Sequence, residues 1–305
     1  MKYLIYLTII LIIIYIFCFF KVDNHLSQDV LPSDTIENKI KYTVKLLNNN
    51  KIEALDLEEY IVGVISCEMP ASFEIEALKA NAVAARTYAL KKMNENNIYD
   101  LENSTNNQCY INTVQMKDKW KDNYDYYYTK ILTAVKETEG KIITYNDEVI
   151  TAFYFSTSNG YTENSENVFS QKLEYLRSVD SYWDENTKTF YKEVEFEEKN
   201  FLQLLNINSD KVNKIEIISR SNTGRVNEIK INENVFKGTI FRTLLALRST
   251  DFEIDLTNGK VKIKTKGYGH GVGLSQYGAN EMAKLGYNFE AILKHYYTNI
   301  EIKNV

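Results

Sequence analysis

Glu68 and Arg86 are the two residues of this 305-residue sequence whose types and surroundings point most directly to chemistry. Glu68 follows Val64, Ile65 and Cys67, precedes Met69, and stands two residues before Pro70, one of only two prolines. A carboxylate at a helix end among apolar neighbours loses hydration, which favours its protonated form and raises its pKa toward the range of a proton donor. Arg86 projects from an Ala-rich surface, where a guanidinium requires a partner. The two read as one acid and its cationic companion, a pair suited to proton transfer.

Further polar groups gather in three later stretches. Six of the twelve glycines fall between Gly267 and Gly286, four of them alternating as GYGHGVG around His270. Such alternation lets backbone approach a ligand or another segment closely and presents His270 without crowding. The stretch is neither a P-loop, since G-K-[ST] is missing, nor a dinucleotide fingerprint. The loop STSNGYTENS supplies hydroxyls and amides, Ser156 and Ser158 among them, that suit hydrogen bonding to a glycan. In EYLRSVDSYW, Tyr175 and Arg177 fall on one side of the chain if it is extended. A serine nucleophile is disfavoured, because no G-x-S-x-G elbow is present and one of the three histidines lies in a polar linker.

The elements that position these groups follow from periodicity. LEEYIVGVISCE and EIEALKANAVAARTYAL read as two helices with a bend at Pro70, the second carrying Ile75, Leu78, Ala82, Ala85 and Ala89 on one stripe. A Lys- and Tyr-rich helix between Tyr110 and Gly140 turns Ile131 and Val135 inward. KIITY and EVITAFYFS form a hairpin turning at Asn146-Asp147 that delivers the polar loop. A helix near Lys199 to Leu205, a hairpin turning at Asn222-Thr223-Gly224, a short helix from Thr239 to Leu247 and a hairpin around Asn258-Gly259 follow. Ser275, Gln276 and Tyr277 open the next helix, and His295, Tyr296 and Tyr297 end the last.

EYIVGVISCEMPASFEIEALKANAVAARTYAL resembles the signature of the SpoIID family of stage II sporulation proteins, and three further blocks resemble it in order: FYFSTSNGYTENSENVF, EYLRSVDSYWDE and GYGHGVGLSQYGANEMAKLGYNFEAILKHYY. The resemblance covers about residues 40 to 305. It implies a peptidoglycan lytic transglycosylase that cleaves between MurNAc and GlcNAc with formation of 1,6-anhydro-MurNAc, acting during forespore engulfment. It implies Glu68 as the catalytic residue, and Arg86, Ser156, Ser158, Tyr175, Arg177, His270, Gln276 and a tyrosine at Tyr296 or Tyr297 as substrate-binding residues. It implies the amidase SpoIIP and the membrane protein SpoIIM as partners. Some members hold zinc with His and Cys near the stretch matching DLENSTNNQCY. Here that stretch offers Glu102, Asn106, Asn107 and Cys109 without a histidine, so no metal and no cofactor are expected. Relatives of the domain also resemble amidase enhancers, which makes a non-enzymatic wall-binding role the rival reading.

Residues Tyr3 to Phe20 are apolar or aromatic except for Thr8, long enough to span a bilayer and without small residues at a cleavage site. The expected organisation is an anchor over residues 1–21, a polar linker over 22–38 and an extracytoplasmic domain over 39–305. A net charge of −5 and a pI near 5.5 argue against a nucleic-acid surface. The 23 tyrosines combine flat apolar faces with hydroxyls, a combination suited to sugar rings. Cys18 lies in the anchor, so Cys67 and Cys109 leave one disulfide open. The expected fold class is α+β, with the helices of residues 57 to 94 packed against antiparallel sheets and the four blocks converging on an open cleft.

Overall fold

The computed structural model describes residues 42–305 apart from positions 94, 96, 97 and 170. The expected anchor and linker lie outside the described residues. Among the described residues no helix is long and apolar enough to cross a membrane.

Strands β1 (Thr43–Asn48) and β2 (Lys51–Asp56) form a hairpin whose turn, Asn49-Asn50, takes positive φ at both residues. Asparagine tolerates that left-handed geometry better than most side chains. Asp56 then accepts the amides of Glu58 and Glu59 at 2.9 and 3.3 Å, capping α1 (Leu57–Glu68). Helix α1 is buried on every side from Tyr60 to Ser66 and stops at Glu68, because Met69 precedes a proline and is held extended. After that bend α2 (Ile75–Lys92) is buried almost all round from Ala77 to Ala89, a broader contact than a single stripe. Its alanines let neighbouring elements approach closely, and it forms the axis of the larger hydrophobic core.

β3 (Leu101–Glu102) pairs parallel with β1. The helix expected between Tyr110 and Gly140 is broken into α3 (Thr113–Trp120) and α4 (Tyr124–Lys136), because Lys121 adopts a positive φ of 49° between them. Ile131 and Val135 do face the core. β4 (Lys141–Tyr145) and β5 (Glu148–Val149) form the expected hairpin, but the second strand ends at Val149, whereas β6 (Tyr154–Phe155) joins another sheet. A one-turn helix, α5 (Glu166–Phe169), follows the polar loop.

β6 pairs in parallel with β13 (Leu274–Ser275), and a parallel pair needs a long crossover. Here part of the crossover is a lobe with its own core. It contains β7 (Tyr191–Glu197), α6 (Glu198–Leu204), β8 (Ile215–Arg220), β9 (Val226–Ile231), β10 (Asn234–Lys237), α7 (Gly238–Leu244), β11 (Phe252–Thr257) and β12 (Lys260–Lys266). These strands form two antiparallel three-stranded sheets, β11-β12-β7 and β10-β9-β8, around Phe201, Phe241, Phe252 and Ile229. The chain then returns through α8 (Gln276–Lys284) and α9 (Phe289–Tyr296), and β14 (Glu301–Asn304) completes the sheet of β4. The α+β class holds, with two parallel pairings among otherwise antiparallel strands.

The two cores are stitched by buried polar contacts. Glu163 accepts from Ser221 Oγ at 2.6 Å, Asn167 Nδ2 at 2.8 Å and Thr223 Oγ1, with the Arg225 guanidinium 3.9 Å away. Arg225 in turn donates to the Tyr161 carbonyl at 3.0 Å.

Candidate active site

A cleft of about 1120 Å³ is lined by the end of α1, residues 104–109, β6, β7, α7 and the start of the glycine-rich loop. Glu68 lines it at the C-terminus of α1 and is its one carboxylate among the described residues. The backbone amide of Cys109 donates to Glu68 Oε1 at 2.7 Å, and a disulfide joins Cys109 to Cys67 with the Cα atoms 5.7 Å apart. Burial raises the Glu68 pKa above the usual 4.5, while the Cys109 amide and the Lys119 ammonium pull it partly back. Lys119 reaches over from α3 and donates to the carbonyls of Ser66 at 2.7 Å and Cys67 at 3.3 Å, satisfying the open end of α1 beside the carboxyl.

The loop that carries Cys109 sits directly on α1. A Cβ at Gly63 would come within 2.2 Å of the Tyr110 ring, so only glycine lets this loop lie so close to the helix. Gln108 is buried beneath it, accepting from the Tyr60 hydroxyl at 3.0 Å and donating to the Tyr154 hydroxyl at 3.0 Å. Tyr154 therefore keeps its own O–H proton to donate, at a position close enough to Glu68 for the carboxylate to help raise its pKa after burial.

Four of the residues expected at the site share this cleft: Glu68, Ser156, His270 and Gln276. Gln276 opens α8, and its buried amide nitrogen has no hydrogen-bond partner among the described residues. The alternating glycines all take positive φ, and at Gly269 a Cβ would meet that of Phe155 at 2.7 Å. His270 is thereby pressed among Phe153, Phe155 and Phe169, with ring centroids 5.3 to 5.9 Å away. Its Nδ1 accepts from the Val272 amide at 3.1 Å and the ring also hydrogen-bonds the Tyr154 backbone. Burial, then Arg242, push its pKa down to about 4, so His270 stands in the cleft wall as a neutral imidazole.

The other expected residues lie elsewhere. Arg86 is fully buried and does not meet Glu68: its Nε and Nη2 grip Glu58 at 2.7 and 2.6 Å, and Nη1 donates to the Lys141 carbonyl at 3.1 Å. The expected companion of Glu68 is thus a brace between α1, α2 and β4. Residues 174–176 form a turn, so Tyr175 and Arg177 are not on one extended run. There the Tyr175 hydroxyl accepts from the Thr151 amide at 3.1 Å, and Arg177 forks onto Glu166 at 2.8 and 2.6 Å. Ser158 and Tyr296 belong to a buried cluster around Asp184. That carboxylate accepts from Ser158, Ser181 and Ser275 at 2.9, 2.7 and 2.8 Å, while the Tyr296 and Ser181 hydroxyls meet at 2.8 Å. Tyr297 is also buried and donates to the Phe153 carbonyl at 2.8 Å, one layer behind the cleft wall.

Lys119, Gln108 and Tyr154 were not singled out from the sequence, and no spacing signal marks them, since each reaches Glu68 or its neighbours across the fold. The sulfur of Cys109 is committed to Cys67, which removes it from any metal donor set. Among the described residues no group of three or more His, Cys, Asp or Glu is placed to hold a metal ion.

Comparison with known proteins adds to this geometry. Residues 47–145 match the family model described as stage II sporulation protein, and residues 114–273 match a domain of unknown function. The chain is 39% identical over 273 residues to stage II sporulation protein D of Bacillus amyloliquefaciens, covering 87% of this chain and 79% of that protein. It is 39% identical over 261 residues to stage II sporulation protein D of Bacillus subtilis, covering 83% and 76%. It is 30% identical over 290 residues to the amidase enhancer of Bacillus subtilis, covering 77% of this chain but 39% of that protein.

Proposed function

Because the chain belongs to the stage II sporulation protein D family, we propose that it is a peptidoglycan lytic transglycosylase acting in sporulation, with Glu68 as its sole acid and base. The observation that carries this reading is one carboxyl of raised pKa in an open cleft, with no second carboxylate beside it among the described lining residues. A glycosidase that uses water or a covalent intermediate ordinarily employs two carboxyl groups. One suffices if the sugar supplies its own nucleophile. Glu68 protonates the glycosidic oxygen as the bond from C1 of MurNAc breaks. The resulting carboxylate then takes the proton of the C6 hydroxyl while that oxygen bonds to C1, closing the 1,6-anhydro ring and regenerating the acid without water.

In this reading Gln276, Ser156 and Tyr154 hold the glycan, and the Cys109 amide fixes the carboxyl. The domain works outside the cytoplasmic membrane, tethered by residues 1–21, beside the amidase SpoIIP and the membrane protein SpoIIM. The rival, a wall-binding amidase enhancer, draws on the 30% identical relative of that name. Mass analysis of products from purified glycan strands separates the two. Anhydro-muramyl ends made by the full-length protein and lost in Glu68→Gln support the transglycosylase, reducing ends reveal a hydrolase, and intact strands favour the enhancer.

A further inference from the structure

The part of the cleft lining contributed by β7, α7 and the segment after it is cationic in an otherwise acidic protein. Arg242, Arg248 and Lys192 line it, whereas the chain as a whole carries a net charge of −5. The sequence contains six arginines, and four of them, Arg86, Arg177, Arg220 and Arg225, lie within 4 Å of a carboxylate. Arg242 and Arg248 form no such pair among the described residues, and both are in the cleft. A guanidinium set into protein without a counter-charge is costly unless something anionic arrives. Among the described residues Arg242 is held by one hydrogen bond, Nε to the Leu247 carbonyl at 3.1 Å, with no partner at its outer nitrogens. Arg248 lies 5.0 Å over the ring of Tyr268, itself 42% exposed, and its own carbonyl accepts the amide of Gly269 at 2.9 Å. Two forked cations beside an exposed aromatic face make a surface that recognises a carboxylate carried by a sugar.

We propose that Arg242 and Arg248, with Tyr268 as stacking platform, form a carboxylate subsite that selects muramyl residues in the cleft. The assignment rests on the glycan reading above and deepens it. Chitin and the glycan strand share a β-1,4 backbone of N-acetylated hexosamines; the muramyl residue differs by its lactyl ether, which ends either in a free carboxylate or in a peptide with carboxylates of its own. Both sources present the same chemistry to the arginines. The hydrophobic and amide-rich wall near Glu68 binds features common to the two polymers, so the arginines supply the discrimination.

The test is calorimetric titration of the full-length Glu68→Gln protein, which leaves the ligand intact, with three oligosaccharides of equal length: bare GlcNAc-MurNAc, the same oligomer bearing stem peptides, and chitin oligomer. The bare or the peptide-bearing muramyl oligomer should bind about ten- to hundredfold more tightly than chitin oligomer, with an advantage that shrinks in high salt. Preference for the bare form identifies the lactyl carboxylate; preference for the peptide form, lost when peptide carboxylates are amidated, identifies the peptide. Adding Arg248→Gln should remove about tenfold for the preferred ligand and leave chitin oligomer unchanged. Arg242→Gln should do likewise, and because Arg242 also ties Leu247, its melting curve is compared with that of Arg248→Gln. Equal affinity for muramyl and chitin oligomers, or unaltered discrimination in both variants, overturns the subsite while leaving a glycan cleft. Absence of binding to any of the three overturns the subsite and the glycan reading together.

Discussion

The amide of Cys109 donates a 2.7 Å hydrogen bond to Oε1 of Glu68, and the same Cys109 is joined covalently to Cys67, the residue just before that carboxyl. A loop remote in sequence is therefore pinned to the end of α1 at the point where its backbone reaches the acid. One bond sets the distance of the loop, and the other aims the carboxyl. Lys119 covers the last carbonyls of α1 from the side, so the end of the helix that carries Glu68 is held from α3 as well as from the Cys109 loop.

Breaking the disulfide should cost both stability and activity. The two cysteines are 42 residues apart, and closing a loop of that length restricts the unfolded chain by about 4 kcal/mol in the chain-entropy account. Cys67→Ala and Cys109→Ala should each lower the melting temperature, and reductant should do so only in the wild type. Cleavage per folded molecule should also drop, because the Cys109 amide loosens from Glu68. A reduced protein that stays folded and cleaves at the full rate would show that the loop holds its place without the bond.

Arg86 yields a contrasting prediction, a loss of folding rather than of chemistry. Removing one partner of a buried ion pair leaves the other uncompensated, at a cost of about 3–5 kcal/mol. Arg86→Ala and Glu58→Gln should both destabilise strongly in urea unfolding, with a double variant costing less than the sum because the orphaned charge is gone. If Arg86→Ala melted like the wild type yet failed to cleave glycan, Arg86 would return to the catalytic machinery.

These two cases explain what was legible in the sequence. The bend at Pro70, the capped hairpin turns and the helix starts were readable because local sterics fix them: proline constrains its predecessor, and Asn-Gly or Asn-Asp accepts positive φ. Glu68 stood out through its apolar neighbours, and burial does raise its pKa. Arg86 also stood out, correctly, as a cation in an apolar face, but sequence cannot say which of several carboxylates it meets, and Glu58 lies at the opposite end of α1 from Glu68. Ser158 and Tyr296 were drawn in by the blocks they occupy. Their hydroxyls serve Asp184, the buried carboxylate that gathers the YWDE segment, the polar loop and α9 into one scaffold. The break at Lys121 and the parallel pairing of β6 with β13 depend on contacts made across the fold, which periodicity does not encode.

His270 should make the protein acid-sensitive. Its pKa falls from the ordinary 6.5 to about 4, through burial first and the Arg242 charge second. Between those values the unfolded chain binds a proton that the folded chain refuses. The contribution is therefore complete above about 6.5 and is lost as pH falls toward 4. The melting temperature of His270→Gln should fall less steeply than that of the wild type across this window. Parallel decline of the two proteins would locate the acid sensitivity in other groups.

Glu68→Gln should separate the two consequences of burying an acid. The amide keeps the shape of the side chain and an oxygen to accept from Cys109, but it has no proton to transfer. Glycan cleavage should fall at least about 10²–10⁴-fold, the usual share of general acid–base catalysis, since the described cleft lining offers no other carboxylate. Stability should move the other way. Burial raises the Glu68 pKa in the folded state despite the Cys109 amide and Lys119, so its favourable contribution is complete below the unfolded value and is lost as pH rises through the folded one. Above its folded-state value the ionised carboxylate is a burden on the fold, tolerated because the reaction needs it. The variant should melt higher than the wild type at pH 7, and the gap should close below pH 4.5, where both side chains are neutral. A variant that melts lower than the wild type at pH 7 would mean that Lys119 holds Glu68 as a settled ion pair in the resting enzyme, and a carboxylate so held is a poor proton donor.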